Sequence, residues 1–425
     1  MSIGSLNKSQ WNTMIVGSLA YFADAWDAFL LIYVLSDMAK DFGISIGTVS
    51  IALLFTYLSR WLGGIIFGSI SAKWGRKKSL MIAVFILGVF TVLTGTAPSF
   101  GALLFIRLCF GIGMGGVYAA AAPLVIESVP ASLRGFASGF FMFGFYIGNI
   151  IAPWTYVWLA PQFGWRGVFF FGGISLLLIP YILLTVKESP VWLARKEELK
   201  SKGGVAEKSL PFWKIFAPGY IGITLILMMV SFGQFFEAYP VQSLMPTFLK
   251  TVRHFPVNSV AFAGTMMGIG SLIGALFGGW ISDKIGRKRT IKFGLILALI
   301  PVSFMLLSTE PTVIIIASTI DGFIFGSISG LIAAFLNEHY PTDLRGTGSG
   351  FIQNLGSLGG SVGAVVAANL NQSVGWSWTI ILIVLFGGIL GLVGIFFAKE
   401  TRNVSLGGGM HVGNSASSTQ RKLMS

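Results

Sequence analysis

Long apolar stretches alternate with short polar segments along almost the whole chain. A helix crosses the hydrocarbon core of a bilayer with about 20 predominantly apolar residues. Because lipid offers the backbone no hydrogen-bond partner, stretches of this length predict membrane-spanning α-helices. We expect twelve of them, at residues 12–35, 47–71, 79–97, 101–127, 136–159, 165–186, 219–248, 258–282, 291–308, 312–337, 347–369 and 375–398.

The longest interior polar segment divides these spans into two sets of six. It is basic, and it includes the sequence RKEELKSKGG. We therefore expect an N-terminal six-helix bundle at residues 1–186, a cytoplasmic linker at 187–217 and a C-terminal six-helix bundle at 218–400. Residues 401–425 are rich in Gly and Ser, a composition typical of a disordered tail.

Parts of the first half recur in the second half at a constant offset of 211 residues. The matching segments, in the same order, are 75–77 with 286–288 (Gly-Arg-Lys), Glu127 with Glu338, and 133–135 with 344–346 (Leu-Arg-Gly). One offset in successive loops indicates an internal repeat. Parallel repeats of six spans are typical of transporters that bind substrate between the halves. The sequence thus predicts an all-α membrane fold of twelve transmembrane helices in two six-helix pseudo-repeats.

The composition agrees with a membrane protein. The 425 residues are 54% hydrophobic and 11% charged, whereas soluble domains carry about 25% charged residues. The net charge of +13 would suit nucleic acid, but Lys and Arg are confined to short loops, as in the cytoplasmic loops of membrane proteins. We expect a multi-pass protein of the cell (plasma) membrane, embedded in the lipid bilayer, with both termini cytoplasmic and no nucleic-acid partner.

Few residues suit a metal, a disulfide or enzyme chemistry. The single cysteine, Cys109, excludes an internal disulfide, and with only three His a structural zinc site is excluded as well. The sequence contains no Walker phosphate loop, and its glycine run at 111–116 lies inside a predicted span, where helix packing accounts for it. We expect no cofactor, no enzymatic activity and a protein that functions as a monomer.

Arg60 lies near the middle of the second span. A charged side chain at this depth costs several kcal/mol if it faces lipid, so Arg60 should face the bundle interior. Its planar guanidinium matches a carboxylate with two parallel hydrogen bonds, which makes it a candidate for binding a substrate anion. The alternative is an ion pair with Asp24 or Asp27. Its counterpart at the offset of 211 is Ser271, and broken symmetry at the midplane favours a ligand.

Four carboxyl groups at membrane depth are candidates for carrying a coupling proton. Asp24 and Asp27 lie three residues apart and so share a helix face. A buried carboxyl group resists ionisation, so it can load and release a proton near neutral pH. The alternative for both is a permanent ion pair with an arginine. Glu237 and Asp321 lie in the seventh and tenth spans.

Polar side chains at a similar depth are candidates for contacting the substrate. They are Tyr57, Tyr239, Gln242, Gln353 and Asn354. For the Gln and Asn residues an interhelical hydrogen bond is the alternative. We expect Pro240 to break the seventh helix and to free backbone carbonyls near the cavity.

Several motifs resemble those of the major facilitator superfamily. The segments GSISAKWGRK at 68–77 and GWISDKIGRK at 279–288 resemble its signature loop. The segments RLCFGIG at 107–113, ESPVWL at 188–193 and ETR at 400–402 resemble its fourth-, sixth- and twelfth-helix motifs. The resemblance implies the major facilitator fold and a role of Arg107 in proton coupling or in helix packing.

A narrower resemblance is to the sialate:proton symporter family, which includes sialic acid transporters and lactate–pyruvate permeases. It rests on LNKSQW at 6–11, SRWLGG at 59–64, VIESVPASLRGFASGF at 125–140, YPVQSLMPTFLK at 239–250 and NLGSLGG at 354–360. It implies transport of a carboxylate together with protons.

The loops on the basic side are expected to form a gate. Its candidate residues are Gly68, Gly75, Arg76, Glu127, Arg134, Asp283, Gly286, Arg287, Glu338 and Arg345. We expect Glu127 with Arg134, and Glu338 with Arg345, to pair with the two Gly-Arg-Lys turns when this side is closed. The signature loop of the superfamily usually has an acidic residue where this chain has Ala72, whereas the second half keeps its acidic residue.

Together these features predict a proton-coupled secondary transporter that imports an organic carboxylate, sialic acid or a monocarboxylate such as lactate. Its partners are then a small organic anion and protons. Within transport, the alternative is a sugar:proton or aromatic-acid:proton symporter of the same superfamily. A membrane sensor that does not transport is the alternative from another class, and the lack of a sizeable soluble domain in the sequence argues against it.

Overall fold

The structure is a computed structural model that describes residues 3–44, 46–49, 51–201 and 212–404. In the first half the helices are α1 (Lys8–Phe42), α2 (Ile46–Val49), α3 (Ile51–Trp74), α4 (Arg76–Thr96), α5 (Phe100–Ser128), α6 (Arg134–Phe171), α7 (Leu178–Thr185) and α8 (Pro190–Ser201). In the second half they are α9 (Ile221–Thr251), α10 (Val257–Ile285), α11 (Arg287–Leu297), α12 (Leu299–Leu307), α13 (Pro311–Glu338), α14 (Thr342–Val374) and α15 (Trp376–Phe397).

Eleven helical segments among the described residues are long and apolar enough to cross a membrane. The twelfth span is α14, a helix of 33 residues, whose Gln353 and Asn354 are buried. The all-α fold of twelve transmembrane helices in two six-helix pseudo-repeats is therefore confirmed. The helix α6 contains the fifth span and the start of the sixth, which are separated by a kink at Gly164, where φ is 65°. The sixth span continues through a 3-10 helix, Gly172–Leu177, into α7. The ninth span consists of α11 and α12.

Pro240 does not break the seventh span, so this expectation is wrong. The helix α9 continues from Ile221 to Thr251. A proline ring removes a single backbone hydrogen bond, and in a membrane bundle neighbouring helices keep such a helix together. Here α9 packs along α14 and α15.

Each half contains helix pairs whose backbones touch through glycine. A side chain on Gly115 of α5 would overlap the carbonyl oxygen of Arg60 on α3, and one on Gly326 of α13 would overlap that of Ser271 on α10. The two glycines are 211 residues apart, as are the two residues that they touch. The internal repeat therefore includes the same glycine-mediated helix contact in both halves. In the first half, this close contact between α3 and α5 fixes the position of Arg60.

The two halves meet where α3 packs on α14 and where α6 packs on α10. One end of the bundle carries the turns at 75–78 and 286–289, and we call it the basic face. Near this face a Cβ on Gly68 would overlap Cα of Thr347, and one on Gly279 would overlap the carbonyl oxygen of Gly135. The halves therefore close the basic face by direct backbone contact.

The predicted limits of the two bundles stay predictions. The linker at 187–217 contains α8 and a short 3-10 helix, Phe212–Phe216, while residues 202–211 lie outside the described residues. Of the tail predicted at 401–425, residues 405–425 also lie outside them.

Candidate functional site

A cavity lies between the two halves, with walls from both. The first half contributes Tyr21, Arg60, Met142, Phe145 and Tyr146, and the second half contributes Phe235, Tyr239, Phe325, Ser329, Gln353 and Ser357. We call it the central cavity. Three of the predicted substrate residues, Arg60, Tyr239 and Gln353, are thus brought together at the interface about which the halves of such a fold move.

Arg60 bridges the two halves beside this cavity. Its Nε donates a hydrogen bond to Oδ1 of Asn354 at 2.9 Å, and its Nη2 lies 3.5 Å from Oδ2 of Asp24. Only 5% of Arg60 is exposed. The contact with Asp24 is long for a hydrogen bond between charged groups, so the guanidinium retains donors for another acceptor.

Polar atoms around Arg60 lack hydrogen-bond partners among the described residues. They are both carboxylate oxygens of Asp24, Oε1 of Gln353 and Nδ2 of Asn354. In folded proteins the large majority of buried polar side-chain atoms are paired. Several unpaired atoms in one place therefore indicate a site for a polar ligand.

Aromatic rings form much of the remaining wall. The ring of Phe325 lies 6.3 Å from Phe235, 6.4 Å from Tyr239 and 6.5 Å from Tyr146, measured between centroids. These rings pack edge to face. By excluding water they lower the local dielectric constant, which strengthens the attraction of Arg60 for an anion.

A second buried ion pair lies within the first half. Nη1 and Nη2 of Arg107 donate to Oδ1 of Asp27 at 2.5 and 2.9 Å, and the guanidinium lies 4.6 Å from the ring centroid of Phe110. Neither Arg107 nor Asp27 lines the central cavity. The two aspartates of α1 therefore have different partners, and only the partner of Asp24, Arg60, borders the central cavity.

The carboxyl candidates of the second half are separate from both pairs. Glu237 and Asp321 are buried and line a cavity of their own between helices of that half. The five predicted coupling residues thus lie in three separate places: Asp24 beside Arg60, Asp27 with Arg107, and Glu237 with Asp321.

Three predicted substrate residues are not among those that border the central cavity: Tyr57, Gln242 and Asn354, of which Asn354 is hydrogen-bonded to Arg60. Tyr57 is half-buried on α3 and packs against the core of the first half. Gln242 is half-buried on α9. Their predicted contact with the substrate stays a prediction.

Glu127 joins the two halves at the basic face. Its carboxylate accepts hydrogen bonds from Nε and Nη2 of Arg76, each at 3.2 Å, and from the hydroxyl of Ser189. It also forms an ion pair with Arg345 of the second half. Nη2 of Arg76 donates to the carbonyl oxygen of Thr342 at 2.6 Å, which adds another link between the halves.

Asp283 provides the reciprocal link from the second half to the first. Its carboxylate accepts hydrogen bonds from the backbone amides of Gly135 and Phe136, both at 2.9 Å. These amides lie at the start of α6, where the helix dipole favours a negative charge. Arg287 donates to Asp283 at 2.6 Å and to Glu338 at 3.2 Å.

Ala72 leaves the matching position of the first half without a carboxylate. The equivalent backbone amides, at the offset of 211, belong to residues 346 and 347. The linker helix α8 makes other contacts here: Nε1 of Trp192 donates to the carbonyl oxygen of Ala72 at 2.8 Å, and Arg195 pairs with Asp343 at 3.0 Å. The two halves therefore make different contacts at the basic face.

Arg134 and Arg345 have partners other than the Gly-Arg-Lys turns with which we expected them to pair. Nη1 of Arg134 donates to the carbonyl oxygen of Val404 at 2.5 Å, and Nε of Arg345 donates to that of Asn337 at 2.9 Å. Arg345 reaches across to Glu127 of the other half. Pairing across the halves was not expected because the sequence relates these residues only within each repeat.

Sequence reasoning did not identify Glu188 and Glu400 as gate residues. Glu188 accepts a hydrogen bond from the first amide of α4 at 2.9 Å, and Glu400 from the first amide of α11 at 2.8 Å. The preceding glycines, Gly75 and Gly286, have φ of 101° and 106°, which favours glycine, and a side chain on either would overlap the carboxylate. The ESP and ETR motifs at the ends of the two repeats were the available signal.

The family model described as Major Facilitator Superfamily matches residues 17–364 and 227–419 of this chain. The sialic acid transporter NanX of Escherichia coli (strain K12) is 32% identical over 390 residues, which cover 91% of this chain and 93% of that protein. Two transporters of Acinetobacter baylyi are also similar. The cis,cis-muconate transport protein is 28% identical, with coverage of 90% of this chain and 92% of that protein. For the 4-hydroxybenzoate transporter PcaK the identity is 26%, with 89% of each covered.

A solved structure of the proton:xylose symporter XylE has the same fold. It superposes with a TM-score of 0.78 at 18% identity, and the match covers 94% of this chain and 98% of that one. At this identity the likeness concerns the arrangement of helices alone.

Proposed function

The chain belongs to the major facilitator superfamily, and on that basis we propose that it is a proton-coupled symporter of an organic carboxylate, sialic acid or a monocarboxylate such as lactate. One observation carries the proposal: the buried guanidinium of Arg60 borders the cavity between the halves and pairs only loosely with Asp24, at 3.5 Å. The relatives named for sialic acid and 4-hydroxybenzoate support the same chemistry, since both names denote organic acids.

Arg60 binds the carboxylate of the substrate through two parallel hydrogen bonds. A guanidinium has five donors in a rigid fork, and Asn354 occupies one of them. Gln353 and Tyr239, from the second half, border the same cavity and contact the rest of the substrate. A ligand held by both halves favours the conformation in which they close around it.

Asp24 couples this binding to a proton. When the carboxylate of the substrate replaces Asp24 as the partner of Arg60, the buried Asp24 is left without its counter-ion. An unpaired buried carboxylate is costly, so Asp24 takes up a proton instead of staying charged. Release of the substrate restores the ion pair and returns the proton. Asp27 and Arg107 form the second exchangeable pair on the same helix, and Glu237 and Asp321 complete the coupling residues.

The basic face is the cytoplasmic gate. Positive residues concentrate in its loops, as they do in the cytoplasmic loops of membrane proteins. With Glu127, Arg345 and Asp283 joining the halves there, this structure is closed to the cytoplasm. Transport then proceeds by rocking of the two bundles, at 1–186 and 218–400, about the central cavity.

We also propose that the protein lies in the cell membrane with both termini in the cytoplasm, acts as a monomer in the bilayer and uses the proton gradient without a cofactor. It moves its substrate without chemical change and so is not an enzyme.

A second candidate substrate class is an aromatic or unsaturated acid. The walls of the central cavity favour it, because Phe235, Phe325 and Tyr146 offer ring faces and edges to an aromatic or unsaturated ligand. The relatives named for 4-hydroxybenzoate and cis,cis-muconate agree with this class.

An uptake panel tests the proposal. The purified protein is reconstituted into proteoliposomes and offered labelled N-acetylneuraminate, lactate, pyruvate, benzoate and glucose, with and without an inward proton gradient. We expect at least one carboxylate to accumulate and the gradient to increase its uptake. Uptake of glucose alone, or uptake that does not respond to the proton gradient, contradicts the proposal. Preference for benzoate over the other acids selects the second candidate.

A further inference from the structure

The second half contains a cavity separate from the central one. Glu237 from α9 and Asp321 from α13 border it, together with the amide of Gln234, and the rest of its lining is apolar. We call it the C-half cavity. It lies within one bundle, so the proposed rocking of the halves does not itself open or divide it.

The carboxyl groups of the C-half cavity lie among apolar side chains. Glu237 and Asp321 are 4% and 6% exposed, and within the described part of the chain no Lys, Arg or His borders the cavity. Oε1 of Glu237 and Oε1 of Gln234 lack a hydrogen-bond partner among the described residues. A buried, unpaired carboxyl oxygen that faces a cavity indicates a missing partner.

Among the described residues, the charged groups of the helices around this pair have partners elsewhere or lie at the surface. At the basic face, Asp283 and Glu338 pair with Arg287, Glu127 with Arg345, and Asp343 with Arg195, while Lys288 donates to the carbonyl oxygen of Phe396 and Lys292 is exposed. Arg107 pairs with Asp27, and Tyr146 and Tyr239 border the central cavity. The helices α12 and α15 border the cavity with valines, Val302 and Val384.

Two ionised carboxylates cannot share such a cavity without a large cost in free energy. A proton held by the pair removes the repulsion. A metal ion fits poorly, because hard divalent cations take about six or more oxygen ligands and the described residues include no group of three acidic, His or Cys side chains that could hold one.

We propose that Glu237 and Asp321 form a second proton-binding site of the transporter, separate from that of Asp24 and confined to the C-terminal half. The pair takes up one proton when its cavity connects to one side of the membrane and releases it to the other side. This part of the inference rests on the proposed function, whereas the binding of the proton itself does not.

Two contacts connect the C-half cavity to the central cavity. Phe325 borders both. Nε2 of Gln234, at the C-half cavity, donates a hydrogen bond of 2.8 Å to Oγ of Ser329, which borders the central cavity. A substrate that moves Phe325 or Ser329 therefore changes the surroundings of the carboxyl pair, and loading of the pair changes the shape of the substrate site.

Infrared spectroscopy of the purified full-length protein detects the proton without any substrate. A buried protonated carboxyl group has its own C=O stretching band. We expect such a band at neutral pH, its loss in the Glu237→Gln/Asp321→Asn double variant, and its persistence in Asp24→Asn and in the exposed control Glu310→Gln. If the double variant does not fold, Glu237→Gln alone must shift or remove the band. A band that is the same in these variants, or that sodium ions remove, overturns the proposal.

Proton counting in proteoliposomes tests the role in transport. With N-acetylneuraminate and lactate as probes, the substrate gradient that balances a fixed pH gradient gives the number of protons per substrate. We expect the double variant to move one proton fewer than the wild type and Glu310→Gln to move the same number. An unchanged count in the double variant overturns the role in transport. If the wild type takes up neither probe, the proposed substrates are wrong, while the infrared result still decides whether the pair binds a proton.

Discussion

Arg60 on α3 and Asn354 on α14 are joined by a hydrogen bond of 2.9 Å between Nε and Oδ1. This bond links the two halves at the central cavity, whereas the ion pair of Glu127 on α5 with Arg345 on α14 links them at the basic face. In the first half α3 packs along α5, so movement of these two helices away from α14 breaks both contacts. In the proposed mechanism, binding of a carboxylate at Arg60 and opening of the basic face therefore act on the same interface between the halves.

Replacing Arg60 with lysine should weaken binding of the carboxylate. Lysine keeps the charge but loses the planar fork. Since a hydrogen bond to a charged group contributes about 1.5–3 kcal/mol, we expect the KM to rise by roughly tenfold or more. Initial uptake rates over a range of substrate concentrations measure it. The control is Arg166→Lys, at an exposed ion pair with Asp41. An unchanged KM in Arg60→Lys would show that Arg60 does not hold the carboxylate with two hydrogen bonds.

Asp283→Asn should impair transport more than Ala72→Asp does. Asparagine loses the negative charge that faces two backbone amides and Arg287, so the closed basic face is destabilised. Ala72→Asp adds a carboxylate at the matching position of the first half, near the amides of residues 346 and 347 in α14. We expect the closed basic face to tolerate this carboxylate. Uptake rates of both variants at matched expression measure the difference. Equal effects would count against an asymmetric gate.

Gly68→Val should open the basic face. Its side chain would overlap the backbone of Thr347, so the closed conformation is destabilised and the population shifts to the alternative one. We expect faster labelling of a cysteine at Ser71, a buried residue near this face, in a background where Cys109 is replaced by serine. The control is Gly101→Val, since a Cβ on Gly101 meets nothing within 4 Å. Equal labelling in both variants argues against closure by this contact.

Asp27→Asn should destabilise the protein strongly. It leaves Arg107 buried without its counter-ion, and breaking a buried ion pair in this way costs about 3–5 kcal/mol. Asp41→Asn removes an exposed ion pair and should cost at most about 1 kcal/mol. Thermal unfolding of both variants in the same detergent compares them. Similar melting temperatures would mean that Asp27 is not held as a charged partner of Arg107.

His339 should make the protein less stable in acid. Its Nδ1 lies 2.8 Å from the carbonyl oxygen of Phe335, and burial lowers the pKa of His339 from 6.5 to about 4. The unfolded chain binds this proton at the higher pH, so the residue has no effect on stability well above pH 6.5 and destabilises the folded state as the pH falls from 6.5 towards 4. We expect His339→Gln to lessen the fall of the melting temperature over this range, and His254→Asn, at an exposed site, to leave it as in the wild type. The reverse order of the two variants would contradict the assignment.

Much of the candidate site was predicted from residue type and depth alone. Arg60, Tyr239 and Gln353 border the central cavity as expected, because a charged or polar residue at membrane depth must turn away from lipid. Tyr57 and Gln242 are half-buried on α3 and α9 and are not among the residues that border this cavity. The break expected at Pro240 does not occur, because the cost of a proline in a membrane helix depends on the helices packed around it.

The sequence by itself determined the number of spans, the two pseudo-repeats and the basic loops, because the length of an apolar stretch and the distribution of Lys and Arg are local properties that the bilayer selects directly. Only the tertiary structure decided the partners. It assigned Asp24 to Arg60 and Asp27 to Arg107, and it joined Arg60 to Asn354, 294 positions away in the chain. Those pairings depend on how each helix is rotated and where the halves meet, and no local pattern records either.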